Sequence, residues 1–448
     1  MSPGVVAAIL FGTFAVLILL RIPVSFALGL ACLPVILLDE RLTPMLLINE
    51  MWKSYNAFIL LAVPFFLLAA NLMNAAGITD RLVRLAQATV GHLPGGLGHV
   101  NVVVSMLFAG ISGSSTADAA GIGSLMIPAM KKQGYDARFS VAITACSSVM
   151  GVIIPPSIIM IVWGGLMSVS IGGLFLAGIV PGILMTAMMM GTVLVYAKVR
   201  QYPVDRRASL REFLKALGRA GLALVTPVII IGGIVGGFFT PTESSVIAVL
   251  YSGFLGVIVY RSIEPRKLPT VLYESARLAA VSLFCIGTAS AFGWLLAYFR
   301  VPQTLVDALD GWATGVISTG LIVALAFLLI GMFIDAIPAI IILGTILLPV
   351  AENAGMDPIH FAIIGVISLA FGLVTPPYGL CLLIACALGG IRVADALKDV
   401  GLILLPLLVL LVVVVIFPEL ILFLPRLMAP GFLEGGVSLP PQDWIAAR

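Results

Sequence analysis

The chain contains many apolar runs of about twenty residues, the length at which a helix spans the hydrocarbon core of a bilayer. The runs are continuous and do not alternate apolar with polar residues, so they predict helices rather than barrel strands. Hydrophobic residues make up 61% of the 448 positions and charged residues 10%. So few charges cannot cover a soluble surface. The sequence therefore predicts an all-α polytopic membrane protein surrounded by the lipid bilayer.

Several functional classes are disfavoured by composition. A net charge of +3 gives no reason to expect a nucleic-acid partner. The five cysteines lie in apolar stretches without a CxxC pair, and the three histidines show no ligand spacing. No His–Glu–His cluster, Ser–Lys pair or haem-type histidine pair is present. An enzyme and an organic cofactor are therefore not expected.

The two halves of the chain repeat each other. A basic stretch at 198–219 is the only long polar segment, and it separates halves of similar length. At one constant offset, residues that rarely agree by chance are superposed: Gly110 on Gly331, Gly123 on Gly344, Pro128 on Pro349, Gly134 on Gly355, Asp136 on Asp357, Ser147 on Ser368, Gly151 on Gly372 and Pro155-Pro156 on Pro376-Pro377. We predict a first repeat at 1–197, a linker at 198–220, a second repeat at 221–425 and a tail at 426–448.

The charges of the loops predict that the repeats have opposite orientations. The loop at 131–138 carries three cations, whereas its equivalent at 351–358 carries none. The positive-inside rule places the first loop and the basic linker in the cytoplasm, and the second loop, the amino terminus and the tail in the periplasm. With this topology all but five of the 24 Lys and Arg lie inside, the exceptions being Arg41, Lys53, Arg300, Arg426 and Arg448.

Each half is predicted to hold one re-entrant hairpin and one broken helix. The hairpins cover 99–130 and 313–350, whose Gly-, Ser- and Asp-rich middles suit a turn inside the membrane. The broken helices cover 139–170 and 359–390, and each contains a Pro-Pro pair that cannot continue a helix. An inverted repeat with broken helices is typical of a secondary transporter.

The middle of the first hairpin, FAGISGSSTADAAGIG at 108–123, is the most polar stretch of any apolar segment. Freed carbonyls and hydroxyls there would suit a hard cation, and the restarting helix would favour an anion. A Ser-rich turn that only packs helices is the alternative. In the second half Asp335 is an intramembrane acid, functional by default, although it could also lie near the surface or pair with backbone amides. For each Pro-Pro break a bare kink is the alternative.

The segment FFTPTESS at 238–245 predicts a helix start. In this interpretation Thr242 caps the helix and Glu243 lies in its first turn. We expect a structural role for both residues, and the alternative is that Glu243 is coupled to transport.

Four motifs together resemble one family. GISGSSTADAAGIGSLMIPAM, GVIIPPSIIM, FFTPTESS and FGLVTPPYGL occur in this order. The chain resembles the large membrane subunit of the tripartite ATP-independent periplasmic (TRAP) transporters over nearly its whole length. The resemblance implies an ion-transporter-type fold with scaffold and elevator-like transport domains, in the bacterial inner membrane. It also implies a small four-helix membrane subunit, a soluble periplasmic substrate-binding protein, and coupling to Na⁺ without ATP.

The resemblance also implies site residues. The first sodium site would use Ala109, Ser112, Gly151, Ile154 and Pro156, and the second Gly331, Gly372, Thr375 and Tyr378. Substrate would lie between the hairpin tips, near Ser114, Ser115, Thr116 and Asp335.

The leading hypothesis is the large permease subunit of a sodium-coupled importer for a small organic anion such as a C4-dicarboxylate or sialic acid. A stand-alone sodium–dicarboxylate symporter is the alternative within the same fold class. A membrane-embedded enzyme or assembly subunit is a third hypothesis, in which an inverted repeat has no natural role.

Overall fold

The computed structural model describes residues 1–309 and 315–432, and every regular element within them is helical. The helices are α1 (Pro3–Leu19), α2 (Val24–Leu38), α3 (Met45–Tyr55), α4 (Ala62–Ala75), α5 (Ile78–Val90), α6 (Gly96–Ser112), α7 (Ser115–Lys132), α8 (Ala137–Ser148), α9 (Ile158–Met167), α10 (Ile171–Arg200), α11 (Leu210–Val235), α12 (Pro241–Phe254), α13 (Leu268–Tyr298), α14 (Val301–Leu309), α15 (Val316–Gly331), α16 (Ala336–Asn353), α17 (Pro358–Gly372), α18 (Leu380–Gly389), α19 (Val393–Ile416) and α20 (Glu419–Met428). The predicted all-α class is confirmed.

Seven helical segments of the described chain are long and apolar enough to cross a membrane. They are Phe58–Ala75, Ile171–Arg200, Leu210–Val235, Pro241–Val259, Pro265–Tyr298, Ala336–Asn353 and Val393–Ile416. Eight further apolar helices of the described chain have only 10–17 residues. Six of them come from the predicted hairpins and broken helices, and two lie at the amino end. A multi-pass membrane protein follows.

Helix–turn–helix units lie where hairpins were predicted. The first, α6–α7, occupies 96–132 rather than 99–130, and its turn is Gly113-Ser114. Gly113 has a φ of 65°, and an added Cβ would come 2.8 Å from the Pro156 carbonyl oxygen, so this turn requires glycine. The second, α15–α16, is described from 316 to 353, and positions 313 and 314 of the prediction lie outside the described residues.

The predicted broken helices are interrupted at their proline pairs. The first consists of α8, a 3₁₀ turn at Val149–Val152 and α9, and the second of α17 and α18. Both Pro-Pro bonds are cis. Within the predicted tail at 426–448, α20 extends to Met428, and 433–448 lie outside the described residues.

Three short amphipathic helices, α3, α5 and α14, were absent from the prediction. A search for apolar runs passes over them because polar residues interrupt their apolar positions. The predicted helix cap at Thr242 was wrong. Thr240 is the N-cap and forms a capping box with Glu243, whereas the Thr242 hydroxyl donates to the Phe58 carbonyl at 3.2 Å.

The two halves pack on each other reciprocally. Helix α2 packs on α13 while α12 packs on α4, and α9 packs on α16 while α18 packs on α7. Helices α10 and α19 occupy equivalent places and run antiparallel, since Tyr196 meets Asp399 near one end while Met188 and Pro406 line a common cavity further along.

One polar cluster joins the ends of α10 and α19 to the start of α8. The Arg200 guanidinium donates to Asp399 at 2.8 Å and to Asp136 at 2.9 Å, and the Tyr202 hydroxyl donates to Asp136 at 2.9 Å. Burial raises the pKa of Tyr202 to about 12, so this phenol stays protonated at neutral pH. Tyr196 also donates to Asp399 at 2.9 Å. Arg200 thus connects elements from both halves.

We expect Arg200→Met to lower the free energy of unfolding by about 1–3 kcal/mol, because Asp399 would lose its cation. The Asp399 side chain is only 3% exposed. Thermal melting of the purified chain in detergent measures this. The matched control is Arg206→Met, which removes an ion pair whose side chains are 84% and 46% exposed and should cost less than about 1 kcal/mol. Equal melting temperatures for both variants would contradict the assignment.

Candidate functional site

Each hairpin turn is hydrogen-bonded to the break of the broken helix in its own half. In the first half the Ile158 amide donates to the Gly113 carbonyl at 3.2 Å. In the second half the Tyr378 amide donates to the Met332 carbonyl at 2.9 Å. Backbone that leaves a helix within a membrane needs such internal partners because lipid provides none. The chain therefore builds two similar sites, each from one turn and one break.

Polar groups of the first turn bond one another, and one of them bonds Asp118. The Ser112 hydroxyl donates to Asp118 Oδ1, and the Ser114 amide donates to Ser112 Oγ at 3.3 Å. Ser114 caps α7 and its hydroxyl lies 3.1 Å from that of Thr116. The Ser115 hydroxyl donates to the Val149 carbonyl at 3.5 Å, which ties the turn to the break.

Asp118 has an oxygen without a protein partner. The side chain is fully buried, and its Oδ2 makes no hydrogen bond within the described part of the chain. A Cβ added at Gly151 would collide with this same oxygen, so the backbone of the break comes directly against the carboxyl group. An unpaired buried carboxylate is costly, and a bound cation or a proton would relieve that cost.

The other residues predicted for the first sodium site surround this point at different distances. Pro156 is close, because its carbonyl oxygen lies beside Gly113. The Ala109 carbonyl already accepts the Gly113 amide at 3.4 Å. The Ile154 side chain packs on Gly182 of α10, so only its backbone could serve the site. Ser112, Gly151 and Pro156 are thus brought together, with Ala109 and Ile154 next to them.

The second turn and break meet at two glycines. A Cβ added at Gly372 would come 2.7 Å from the carbonyl oxygen of Gly331, so α15 and α17 end in direct backbone contact. The Thr375 hydroxyl donates to the Phe371 carbonyl at 2.8 Å, and Tyr378 holds the turn through its amide. All four residues predicted for the second sodium site therefore lie on the two segments that meet here.

The predicted substrate residues lie on both turns. Asp335 is the N-cap of α16, where its Oδ1 accepts the Ala336 amide at 2.8 Å, and it is half-buried. Ser114 and Thr116 are half-buried, whereas Ser115 is buried. Ser114 and Thr116 are thus the more accessible hydroxyls of the first turn.

Sequence reasoning missed two residues of this region. Asp118 was noted only as part of a polar stretch, and Ser157 was not singled out. Ser157 caps α9, and its hydroxyl donates to the Val152 carbonyl at 2.7 Å across the break. The spacing of Asp118 from Ser112 could have indicated the first residue, because a turn between two helices brings such positions together. Nothing in the sequence indicates the Ser157 contact.

The chain is similar to known transport proteins over nearly its whole length. The family model described as the tripartite ATP-independent periplasmic transporter, DctM component, matches residues 11–420. The sialic acid TRAP transporter large permease protein SiaM of Vibrio cholerae is 38% identical over 90% of this chain and 95% of its own length. The C4-dicarboxylate TRAP transporter large permease protein DctM of Pseudomonas aeruginosa is 37% identical, over 84% of this chain and 88% of its own.

A solved structure supports the fold at lower sequence similarity. The Alcanivorax borkumensis YdaH transporter aligns with a TM-score of 0.57 at 16% identity, over 86% of this chain and 91% of that one. A match at this identity bears on the fold alone. The family model covers the turns and breaks described above. The chain therefore belongs to the DctM family, the large permease components of the tripartite ATP-independent periplasmic transporters.

Proposed function

We propose that the chain imports a small organic anion, driven by sodium, after a periplasmic binding protein has delivered it. Family membership supports transport over the enzyme hypothesis. A C4-dicarboxylate and sialic acid are the first candidates, because relatives named for these substrates match most of the chain. The family also supports a separate small four-helix subunit as the partner in the inner membrane.

The observation that most supports sodium coupling is the unpartnered Asp118 oxygen against Gly151. Carboxylate, hydroxyl and backbone carbonyl oxygens are the ligands of hard cations. We propose that Ser112, Asp118 and the backbone of Gly151, Ile154 and Pro156 hold one sodium ion, with Ala109 supporting the turn. The second ion would be held by backbone oxygens of Gly331, Gly372 and Tyr378 together with Thr375.

We further propose that the halves form an inverted repeat whose two hairpins are re-entrant, with an amino terminus in the periplasm. The reciprocal packing of the halves and the antiparallel course of α10 and α19 support this arrangement. In transporters of this kind, substrate and ions bind where the broken helices of the two repeats meet. An elevator-like movement of the hairpins and broken helices against the remaining scaffold helices would then carry the site across the membrane.

Substrate would bind between the turns. The Ser114 and Thr116 hydroxyls and the free amides at the start of α7 favour a carboxylate, and Ser115 positions this turn on the break. Asp335 would repel an anion unless a sodium ion lies nearby. Binding of the anion is therefore expected to depend on prior binding of sodium.

Uptake by proteoliposomes tests the three-part arrangement. The chain and its small subunit are reconstituted, an inward sodium gradient is imposed, and labelled organic acids are offered with and without the periplasmic binding protein. We expect uptake only when sodium and the binding protein are both present. Uptake without the binding protein would favour the stand-alone symporter, and no uptake under any condition would contradict transport.

At the first sodium site, Asp118→Asn should raise the sodium concentration for half-maximal uptake by roughly tenfold or more, because an anionic ligand is lost. Ser140→Ala is the matched control, since this buried hydroxyl of α8 donates only to the backbone carbonyl of Asp136, the N-cap of the same helix. An unchanged sodium dependence in Asp118→Asn would remove Asp118 from the site. If uptake by the wild-type protein is driven by a pH gradient and not by a sodium gradient, Asp118 would instead be a proton carrier.

Two substitutions should separate the second sodium site from the substrate site. Thr375→Val is expected to raise the sodium requirement several-fold, whereas Thr116→Val should raise the KM for the organic acid with a smaller change in the sodium requirement. Thr345→Val is the control, because its hydroxyl bonds only carbonyls of its own helix, at 2.8 Å and 3.0 Å. Identical effects of the two test substitutions on both quantities would contradict separate sites.

A further inference from the structure

A large, open cavity lies away from the turns and breaks. It has a volume of about 980 Å³ and is lined by α5, the segment before α11, and the first turns of α11. This is the side of the basic linker, which the positive-inside rule makes cytoplasmic. Nothing in the proposed transport mechanism uses this cavity.

Cations outnumber acids in its wall. Five cationic side chains line the cavity, against three carboxylates: Arg81, Arg84, Arg206, Lys215 and Arg219 against Asp80, Asp205 and Glu212. Arg206 pairs with Glu212 at 2.6 Å, and Asp205 accepts the Gln87 amide at 3.1 Å.

Four of the cations have no carboxylate partner among the described residues, and three of these four make no other side-chain contact that fixes them. These three are Arg84 from α5, and Lys215 and Arg219 from consecutive turns of α11. A fourth, Arg81, is fixed by stacking, with its Cζ 3.7 Å from the centre of the Tyr260 ring. Like charges that share one space repel each other, and an anion bound between α5 and α11 would remove that repulsion. Arginine forks and a lysine ammonium are the side chains that recognise phosphate.

Helix α11 places this cavity at the edge of the membrane. Glu212, Lys215 and Arg219 face inwards, whereas Leu210 and Leu214, 73% and 55% exposed, point away from the cavity on the same turns. The helix then continues as a membrane-spanning segment to Val235. An amphipathic segment of this kind lies at the level of the lipid headgroups, with its leucines among the acyl chains.

A neighbouring cavity of about 370 Å³ connects this region to α7, and it is lined by Asn74, Asp80, Gly121 and Ser124 among others. Asp80 lines both cavities. A carboxylate at this junction disfavours passage of an organic anion from the hairpin to the basic cavity. The cavity is therefore better suited to a ligand that enters from the membrane than to a transported anion that leaves through it.

We propose that this cavity binds the phosphate headgroup of an anionic phospholipid of the cytoplasmic leaflet, with Arg84, Lys215 and Arg219 as its main contacts. Each such cation near a membrane surface adds to the attraction of anionic lipid. The lipid would hold α5 against α11. The proposal depends on the membrane orientation given above but not on sodium coupling or on the substrate.

Lipid binding to the purified full-length chain tests the proposal. After removal of lipid, phosphatidylglycerol and phosphatidylcholine with identical acyl chains are titrated, and adducts are counted by native mass spectrometry. We expect phosphatidylglycerol to bind about tenfold more tightly than phosphatidylcholine, and this preference to disappear in R84Q/K215Q/R219Q. The matched control is K198Q/R207Q/R211Q, which removes three cations of the same region that do not line the cavity and should keep the preference.

Further measurements distinguish a lipid headgroup from a free phosphate ester as the ligand. Glycerol phosphate, added as a soluble competitor at millimolar concentration, should displace little of the lipid, whereas full displacement would make the ligand a free phosphate ester and overturn the lipid proposal. An equal preference in the wild type, the triple variant and its control would also overturn it. The single variant K215Q, expected to lose part of the preference, serves if the triple variant melts at a lower temperature. Sodium-driven uptake measured in parallel shows whether transport itself is intact.

Discussion

The need to satisfy backbone polar groups within lipid determines how this chain is arranged. Two turns and two breaks interrupt its apolar helices, and each turn is hydrogen-bonded to its break, through Gly113 and Ile158 in one half and Met332 and Tyr378 in the other. These bonds satisfy the polar groups of the irregular backbone where no water is present. The same irregular backbone supplies the oxygens from which an ion site can be built. The structure and the proposed function thus depend on the same arrangement, a turn hydrogen-bonded to a break, which occurs once in each half.

Glycine permits the close approach of each break to its surroundings at the turn. Gly151 brings the first break against the Asp118 carboxyl group, and Gly372 brings the second break against Gly331. A side chain at either position would separate turn from break. The two sites differ in chemistry, because the first contains a buried carboxylate without a full set of partners and the second contains Thr375 and backbone. We infer that the two ions would be held with different strengths.

Outside the sites, two groups of charged residues lie on the side of the basic linker. Arg200 joins α10, α19 and the start of α8 there, and the basic cavity between α5 and α11 lies on the same side. Arg200 is partly buried and pairs with two carboxylates within the protein. Arg84, Lys215 and Arg219 are exposed and have no carboxylate partner among the described residues, so the proposed lipid phosphate would be their counter-ion.

The sequence by itself determined the all-helical membrane class, the position of both turns and both breaks, and the family, because apolar length, proline pairs and polar turn residues are local signals. The tertiary structure alone decided which atoms meet. It placed Asp118 Oδ2 against Gly151 and revealed the amphipathic helices α3, α5 and α14. Contacts between segments far apart in the chain depend on how the helices pack, and the pattern of one helix does not show which other helix packs against it.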